Sequence, residues 1–372
     1  MPRAECKDLT VGSLGFDVGK SNKQRMETDS TAERGLWLFS HRSDFWLACG
    51  GASVGLLAAV FLIHWHGDRE IDAVDFVLSE FHLGATYDAI ARRRLWRARR
   101  IDILLIPLLI LSLTYWLSIS GQTILLASIT MYAAVWHRGR QSLGIARFYQ
   151  RAVGGPASPM HAILFRGAIY LPMLAAMLAY THLAPSKYDG EPYFALSLSA
   201  GVTSMVGLTA VVWVIAYLSW VGLRARNLNC AHENTVHPSE WWVVLAHAVA
   251  FASGYVLGAT NASYLLVLAV HHEIQYLSFT CAMARRTKNF QSLAIHSAIH
   301  GVYSKNLCSV GRRFRAELSF IGSFFFWPVI GFGGAVAGSW LNSPVLAPLG
   351  VGGLFCHYWL DGRIWTRGVR VE

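Results

Sequence analysis

Long apolar segments recur along most of this 372-residue chain, and they restrict its fold more than any other feature of the sequence. A helix needs about 20 apolar residues to cross the hydrocarbon core of a bilayer. Within that core a helix satisfies its backbone hydrogen bonds internally. The sequence therefore predicts an all-α fold, a polytopic transmembrane helical bundle. Its nine strong candidate spans are residues 45–63, 103–118, 124–136, 161–180, 193–223, 241–257, 262–283, 318–336 and 344–360.

A tenth segment, residues 71–90, is less apolar because it contains Asp72, Asp75 and Glu80 besides His82. Loop charge favours counting it as a span. Short loops rich in Lys and Arg lie in the cytoplasm, and the basic loops of this chain alternate regularly only if 71–90 crosses the membrane. We therefore predict about ten spans with both termini inside the cell. The basic segments are residues 92–100, 138–151, 224–226, 285–315 and 363–370.

Composition supports a membrane protein and argues against nucleic-acid binding. Hydrophobic residues make up 54% of the chain and the mean hydropathy is +0.37, values too apolar for an ordinary soluble domain. The net charge of +10 comes largely from arginines in short loops, where it encodes membrane orientation. The six cysteines are scattered without a CxxC pair, which argues against a disulfide framework or a sulfur-ligated metal.

These patterns predict a simple domain organisation. Residues 1–40 are polar and lack apolar periodicity, so we expect a disordered cytoplasmic tail. We expect residues 41–365 to form the transmembrane domain of a multi-pass protein, and we expect its location to be a bacterial inner (cytoplasmic) membrane. Within it, residues 284–316 form a basic cytoplasmic loop that an amphipathic surface helix would fit. Its His296 and His300 have the i, i+4 spacing of a metal pair, although a solvated helix face explains them as well.

Histidines with a polar partner three or four residues away occur in several predicted spans. Residues at this spacing share one face of a helix. Strongly polar groups are costly at membrane depth, so by default they face the bundle interior and mark a functional site. The pairs are His137 with Gln141, His271 and His272 with Gln275, and His357 with Asp361.

The ten-helix topology brings six histidines to comparable depth in the cytoplasmic half of the bundle. Neutral imidazole is the commonest nitrogen ligand for zinc, iron and copper. Histidines beside a carboxylate, without cysteine, suit non-haem iron, with zinc as the alternative. Any one of them can equally be a helix-to-helix hydrogen-bond partner, so the predicted metal site depends on the set. The candidate ligands are His82, His137, His247, His271, His272 and His357.

Four further residues are candidates for catalytic roles beside the metal. Asp361 can be a ligand, or it can accept the ring N–H of a ligating histidine and act as a base. Gln141, Gln275 and Tyr276 are candidates for orienting the histidines or shaping a substrate pocket.

Three motifs resemble a group of uncharacterised polytopic bacterial membrane proteins over roughly residues 75–365. They are WHRGRQSLGIARFY, HHEIQYL and HYWLDGRIW. More distantly, SEFHLGATYD at residues 79–88 and the His-rich helical layout resemble the bacterial carotene-cleaving (Brp/Blh-like) oxygenases. Those enzymes make retinal from β-carotene with iron held by membrane-embedded histidines. The resemblance implies an iron centre and a lipid-soluble substrate.

Three functional hypotheses remain open at this point. The leading one is a membrane-embedded non-haem iron oxygenase, with one or two iron ions, that takes a carotenoid, isoprenoid or other lipid-like substrate from the bilayer. The second is a transporter or channel with an intramembrane proton or ion path, for which inverted repeats are expected and no convincing repeat is found. The third is a non-catalytic pigment-binding or assembly factor. Membrane lipids and a hydrophobic small molecule are the expected partners, and the sequence identifies no protein partner.

Overall fold

The computed structural model of the chain describes most of the predicted spans. Several predictions fall on residues outside the described ones. These are residues 1–37 and 39 of the predicted tail at 1–40, residues 71–78, 80 and 88 of the predicted span at 71–90, most of the basic segment 92–100, residues 300–316 of the basic loop with His300, and the predicted span at 318–336. Those described are Leu38, 40–46, 50–65, Ser79, 81–87, 89–90, Leu95, 99–188, 191–196, 198–226, 236–299 and 346–364.

The described chain is mostly helical, as predicted. The one sheet among these residues is an antiparallel pair of two-residue strands, β1 (Lys187–Tyr188) and β2 (Glu191–Pro192). Short helical stretches also occur at His41–Asp44 and at residues 81–87. The longer helices are α1 (Gly51–Trp65), α2 (Ile106–Ile119, entered through a π-helical turn at Ile101–Leu105), α3 (Thr123–Ala152), α4 (Pro159–Leu183), α5 (Ala200–Arg226), α6 (Pro238–Phe251, followed by a π-helical turn at Ala252–Leu257), α7 (Leu265–Ile299, preceded by a 3-10 turn at Ala262–Tyr264) and α8 (Leu346–Ile364).

Four described helices are long and apolar enough to cross a membrane, and this supports the membrane-protein class. They are Ile101–Ile119, Pro159–Leu183, Ala200–Arg224 and Pro238–Leu257. The apolar segment Gly51–Leu62 of α1 is shorter. The count of ten spans and the inside position of both termini stay predictions.

Helices α2 and α5 expose apolar side chains over much of their length. A contiguous apolar surface of this extent is unfavourable in water and normally faces lipid or a partner. It therefore fits a bilayer-facing position for both helices. The exposed side chains include Leu104, Leu108, Leu109, Leu113 and Trp116 at α2, and Met205, Leu208, Val211, Val212 and Ile215 on α5.

Helix α3 is longer than the predicted span 124–136, because it continues through the basic segment to Ala152 without a break. It ends where Gly154 and Gly155 adopt positive φ angles of 92° and 110°. Glycine adopts this left-handed conformation without a Cβ penalty, and it commonly terminates helices in this way. Residues 284–299 likewise continue α7 as helix.

The fifth long helix begins later than the predicted span 193–223. The backbone just before it is extended because side chains of α3 satisfy its hydrogen-bonding groups. The Phe194 N–H donates to Ser128 Oγ at 2.7 Å, and the Leu196 N–H donates to Tyr132 Oη at 3.1 Å. Tyr132 in turn donates to the Phe194 carbonyl at 2.8 Å.

Two glycines allow close helix contacts that position the elements described below. A Cβ at Gly55 of α1 would lie 2.9 Å from the Val267 carbonyl oxygen of α7. A Cβ at Gly352 of α8 would lie 2.5 Å from Thr114 Oγ1 of α2. Small residues at such crossings let helix backbones approach closely, which is a common way of packing helices in membranes.

Candidate metal centre

Four histidines from four separate helical segments meet in the interior. His82 comes from residues 81–87, His137 from α3, His272 from α7 and His357 from α8. Their relative exposures are 4%, 7%, 6% and 0%. One ring nitrogen from each lies within 4.8 Å of those of all the others. A group of this kind can hold a metal ion, because each ring offers one lone pair to a common centre.

The rings lie edge to face or tilted around this centre rather than stacked on one another. The His82–His357 centroids are 4.4 Å apart, and the His82–His272 centroids are 4.5 Å apart. His137 is 4.9 Å from both His272 and His357. This crossed arrangement leaves the ring edges, which carry the nitrogen atoms, pointing toward a shared space.

The shortest contact in the group joins His82 Nε2 to His357 Nε2 at 2.6 Å. Two nitrogen atoms this close share a hydrogen bond. Zinc–nitrogen bonds of about 2.0–2.1 Å in a tetrahedron would separate neighbouring ligand atoms by roughly 3.3 Å. Metal binding would therefore replace the shared proton and move these two rings slightly apart.

His357 is held by a buried network of three polar side chains. Thr86 donates its hydroxyl hydrogen to Asp361 Oδ1 at 2.8 Å, and Tyr276 donates to the same oxygen at 2.5 Å. Since Thr86 has one hydroxyl hydrogen, its oxygen accepts from His357 Nδ1, which lies 2.9 Å away. Assigned from this network, the His357 ring proton lies on Nδ1. The lone pair on Nε2 is therefore available to a metal.

Asp361 also faces the histidines with its second oxygen. Its Oδ2 lies 3.6 Å from His357 Nε2 and 3.9 Å from His137 Nε2. Arg363, two residues later on α8, lies beside another carboxylate, with its Nε 3.5 Å from Asp102 Oδ1. Asp361 is thus placed to orient His357 through Thr86 and to offset positive charge beside the cluster.

Several ring nitrogens of the cluster have no hydrogen-bond partner among the described residues. They are His137 Nε2, His82 Nδ1 and His272 Nδ1. A buried polar atom without a partner costs free energy, and such atoms are uncommon in folded proteins. His137 Nε2 also lies 3.9 Å from Asp361 Oδ2, so an unpartnered imidazole nitrogen beside a carboxylate fits a divalent transition metal. The donor set alone does not indicate which metal.

The predicted glutamines and tyrosine contact the helices that carry the cluster. Gln141 Nε2 donates to the main-chain carbonyl of His272 at 2.6 Å, so it ties α3 to α7 at the level of the site. Gln275 Oε1 accepts from Ser142 at 3.3 Å and connects the same two helices. Tyr276 contacts Asp361 directly and packs on the His82 ring with a centroid distance of 4.1 Å.

His247 and His271 are buried but do not join the group of four. His247 Nε2 lies 3.0 Å from the Ile169 carbonyl, and its ring packs on Phe251. His271 precedes His272 directly on α7, and neighbouring residues on a helix point about 100° apart. The main chain at His271 lies against Gly51 of α1.

Two site residues were missed at the level of sequence. Thr86 lies four residues after His82, the same spacing that drew attention to the other pairs, but threonine in a helix usually bonds its own backbone. Tyr358 stacks on His137 with a centroid distance of 4.3 Å and an interplanar angle of 23°. Its position directly after His357 did not predict a place at the site, because adjacent residues of a helix do not share a face.

Another buried polar group lies outside the metal centre. His161 Nε2 is 2.6 Å from Glu240 Oε1, which also accepts a hydrogen bond from Tyr217 at 2.8 Å. Both His161 and Glu240 are almost completely buried. This group connects α4, α5 and α6, while Glu240 Oε2 has no hydrogen-bond partner among the described residues.

No match resulted when the chain was compared with the models of known protein families, with curated proteins and with solved structures. The function is therefore argued from the site itself, namely the identity, spacing and surroundings of its side chains.

Proposed function

We propose that this protein is a membrane-embedded non-haem iron oxygenase that acts on a lipid-soluble substrate. The observation that carries the proposal is the convergence of His82, His137, His272 and His357 from four separate helical segments into one buried cluster. Packing alone rarely collects four ionisable groups in an apolar interior, because burying them is costly unless they bind something.

We propose iron rather than zinc because the metal of an oxygenase must keep open positions for O₂ and the substrate. Four-coordinate zinc would be saturated by four imidazoles, as in structural zinc sites. Iron(II) accepts more ligands, so four histidines leave positions for O₂ and for the substrate. Bound there, iron would supply the activation of O₂ that the side chains cannot. The resemblance of residues 79–88 to the carotene-cleaving oxygenases supports the same choice.

The residues around the cluster have separate tasks in this proposal. Thr86 holds the Nδ1 proton of His357, so that Nε2 keeps its lone pair toward the metal. Asp361 Oδ2, close to two ligand nitrogens, can accept a proton released near the site. Burial of the four rings excludes bulk water, which favours reaction with a hydrophobic substrate over side reactions with solvent.

Protein purified from cells supplied with both iron and zinc is expected to contain about one iron per chain. Nitric oxide binds open positions of iron(II) as O₂ does, so its addition without air is expected to produce a paramagnetic adduct. Metal analysis and electron paramagnetic resonance measure the two results. A His182→Ala variant provides the control, because His182 is exposed and lies 3.2 Å from the Leu198 carbonyl. Stoichiometric zinc with no response to nitric oxide would contradict an oxygenase.

The proposed topology has about ten spans in a bacterial inner membrane, with both termini in the cytoplasm. In support, arginines from three of the basic segments line one pocket. Arg99 donates to the Arg363 carbonyl at 2.8 Å, and both residues line a common pocket with Arg140. We expect reporter fusions within residues 92–100 and 285–315 to report a cytoplasmic location. A periplasmic location for either loop would contradict this topology.

A further inference from the structure

An open pocket of about 770 Å³ lies beside the histidine cluster. It is formed where the start of α2 meets α3 and the end of α8. Two of its lining side chains, Tyr358 and Trp359, are aromatic, and most of the others are charged. The lining residues are Arg99, Asp102, Arg140, Tyr358, Trp359, Gly362 and Arg363.

The lining carries more positive than negative charge, with three arginines against Asp102. Arg363 lies against that carboxylate and also packs over the Trp359 ring at 4.5 Å. Arg99 donates to a main-chain carbonyl, which is a neutral partner. Arg140 lies 5.8 Å from the Trp136 ring centroid. Two guanidinium groups therefore face the pocket with neutral partners, and guanidinium groups bind carboxylate and phosphate oxygens well.

The pocket is separated from the metal centre by one aromatic ring. Tyr358 lines the pocket and stacks on His137. Along the helices, Arg140 follows His137 by three residues, and Arg363 follows His357 by six. At 1.5 Å per residue, Arg140 lies about 5 Å from His137 along the axis of α3, and Arg363 lies about 9 Å from His357 along the axis of α8. A ligand held by the arginines therefore lies beside Tyr358, the ring that separates it from His137.

We propose that this pocket binds the anionic headgroup, carboxylate or phosphate monoester, of an amphiphilic substrate. This inference rests on the proposed function and narrows its substrate class from any lipid-soluble molecule to an acidic amphiphile. The headgroup lies between Arg99 and Arg140, and the apolar chain extends from there toward the bundle. The reacting carbon is one of the first several after the headgroup rather than one near the far end of the chain, because Arg140 lies about 5 Å from His137 along the axis of α3.

Binding of palmitate and hexadecyl phosphate to the protein in neutral detergent micelles tests the proposal. We expect both to bind, and hexadecanol, which has the same chain without a charge, to bind at least about tenfold more weakly. Arg140→Gln and Arg99→Gln are each expected to lower the affinity for palmitate about tenfold, since each removes charge-assisted hydrogen bonds. Arg151→Gln is the matched control, because Arg151 is an exposed arginine of the same helix α3 that does not line the pocket.

Three results would overturn the proposal. They are equal binding of palmitate and hexadecanol, unchanged palmitate binding in both arginine variants, and inorganic phosphate binding as tightly as hexadecyl phosphate. The last result would assign the pocket to free phosphate. The titrations are made on both metal-free and metal-loaded protein. If only the proposed metal site is wrong, the metal-free protein still binds palmitate and hexadecyl phosphate. If the pocket does not bind anionic headgroups, the metal-free protein does not bind them either.

Discussion

Replacing His357 with alanine is expected to remove the metal while the protein stays folded and inserted in the membrane. His357 is completely buried, and its Nε2 lies 2.6 Å from His82 Nε2 of the same cluster. Loss of an outer partner of a metal ligand typically lowers affinity roughly 10–100-fold, so loss of the ligand itself should exceed that range. His137→Ala and His272→Ala are expected to behave alike, because each supplies one of the four converging nitrogens. Metal content per chain is the measurement.

The matched control for these variants is His247→Ala. His247 is buried as deeply as the ligands and lies in a membrane-type helix, but its Nε2 faces the Ile169 carbonyl. Its loss should leave the metal content at the wild-type level. The interpretation would be wrong if the three ligand variants kept the wild-type metal content, or if His247→Ala lost as much metal as they do.

The second large effect is expected for Asp361→Asn, which should keep the metal with an affinity lowered roughly 10–100-fold. Asparagine retains an oxygen that accepts from Thr86 and Tyr276, as Asp361 Oδ1 does. It removes the negative charge that lies 3.6 Å from His357 Nε2. A metal titration against a competing chelator measures the change.

A companion variant, Thr86→Val, separates orientation from charge. Valine preserves the shape of the side chain but removes the oxygen that accepts from His357 Nδ1, so we expect a loss of affinity in the same range. Thr130→Val is its control, because the Thr130 hydroxyl donates to a carbonyl of its own helix, Leu126, at 2.8 Å. Complete loss of metal in Asp361→Asn would instead identify Asp361 as a direct ligand. Wild-type affinity in that variant would remove its assigned role.

Much of the site was predictable because helix spacing is a local property. The i, i+4 pair of His357 and Asp361 does lie together at the cluster. For the adjacent pair of His271 and His272, helix geometry indicates that only one can face a given point, but the choice depends on which neighbouring helix packs there. The predicted depth of His247 in the membrane did not show which way its side chain points. In the structure its ring faces the Ile169 carbonyl of α4.

The fold was predictable to a similar degree. Apolar length identified four membrane-type helices among the described residues, because crossing the hydrocarbon core sets a minimum length. It did not reveal the extended backbone at Phe194 and Leu196, which depends on Ser128 and Tyr132 of a distant segment. Nor did it show that α3 continues past its apolar part, since a basic segment can be a loop or a solvated helix with equal ease.

X-ray absorption spectroscopy of the purified protein tests the central claim most directly. It reports the metal that is present and the identity and distance of its ligand atoms. We predict a transition metal at about one ion per chain, surrounded by histidine nitrogens at roughly 2.0–2.2 Å, with imidazole scattering that weakens in the His357→Ala protein. A folded protein that contains no metal after reconstitution with iron or zinc, or a metal bound without histidine, would contradict the account.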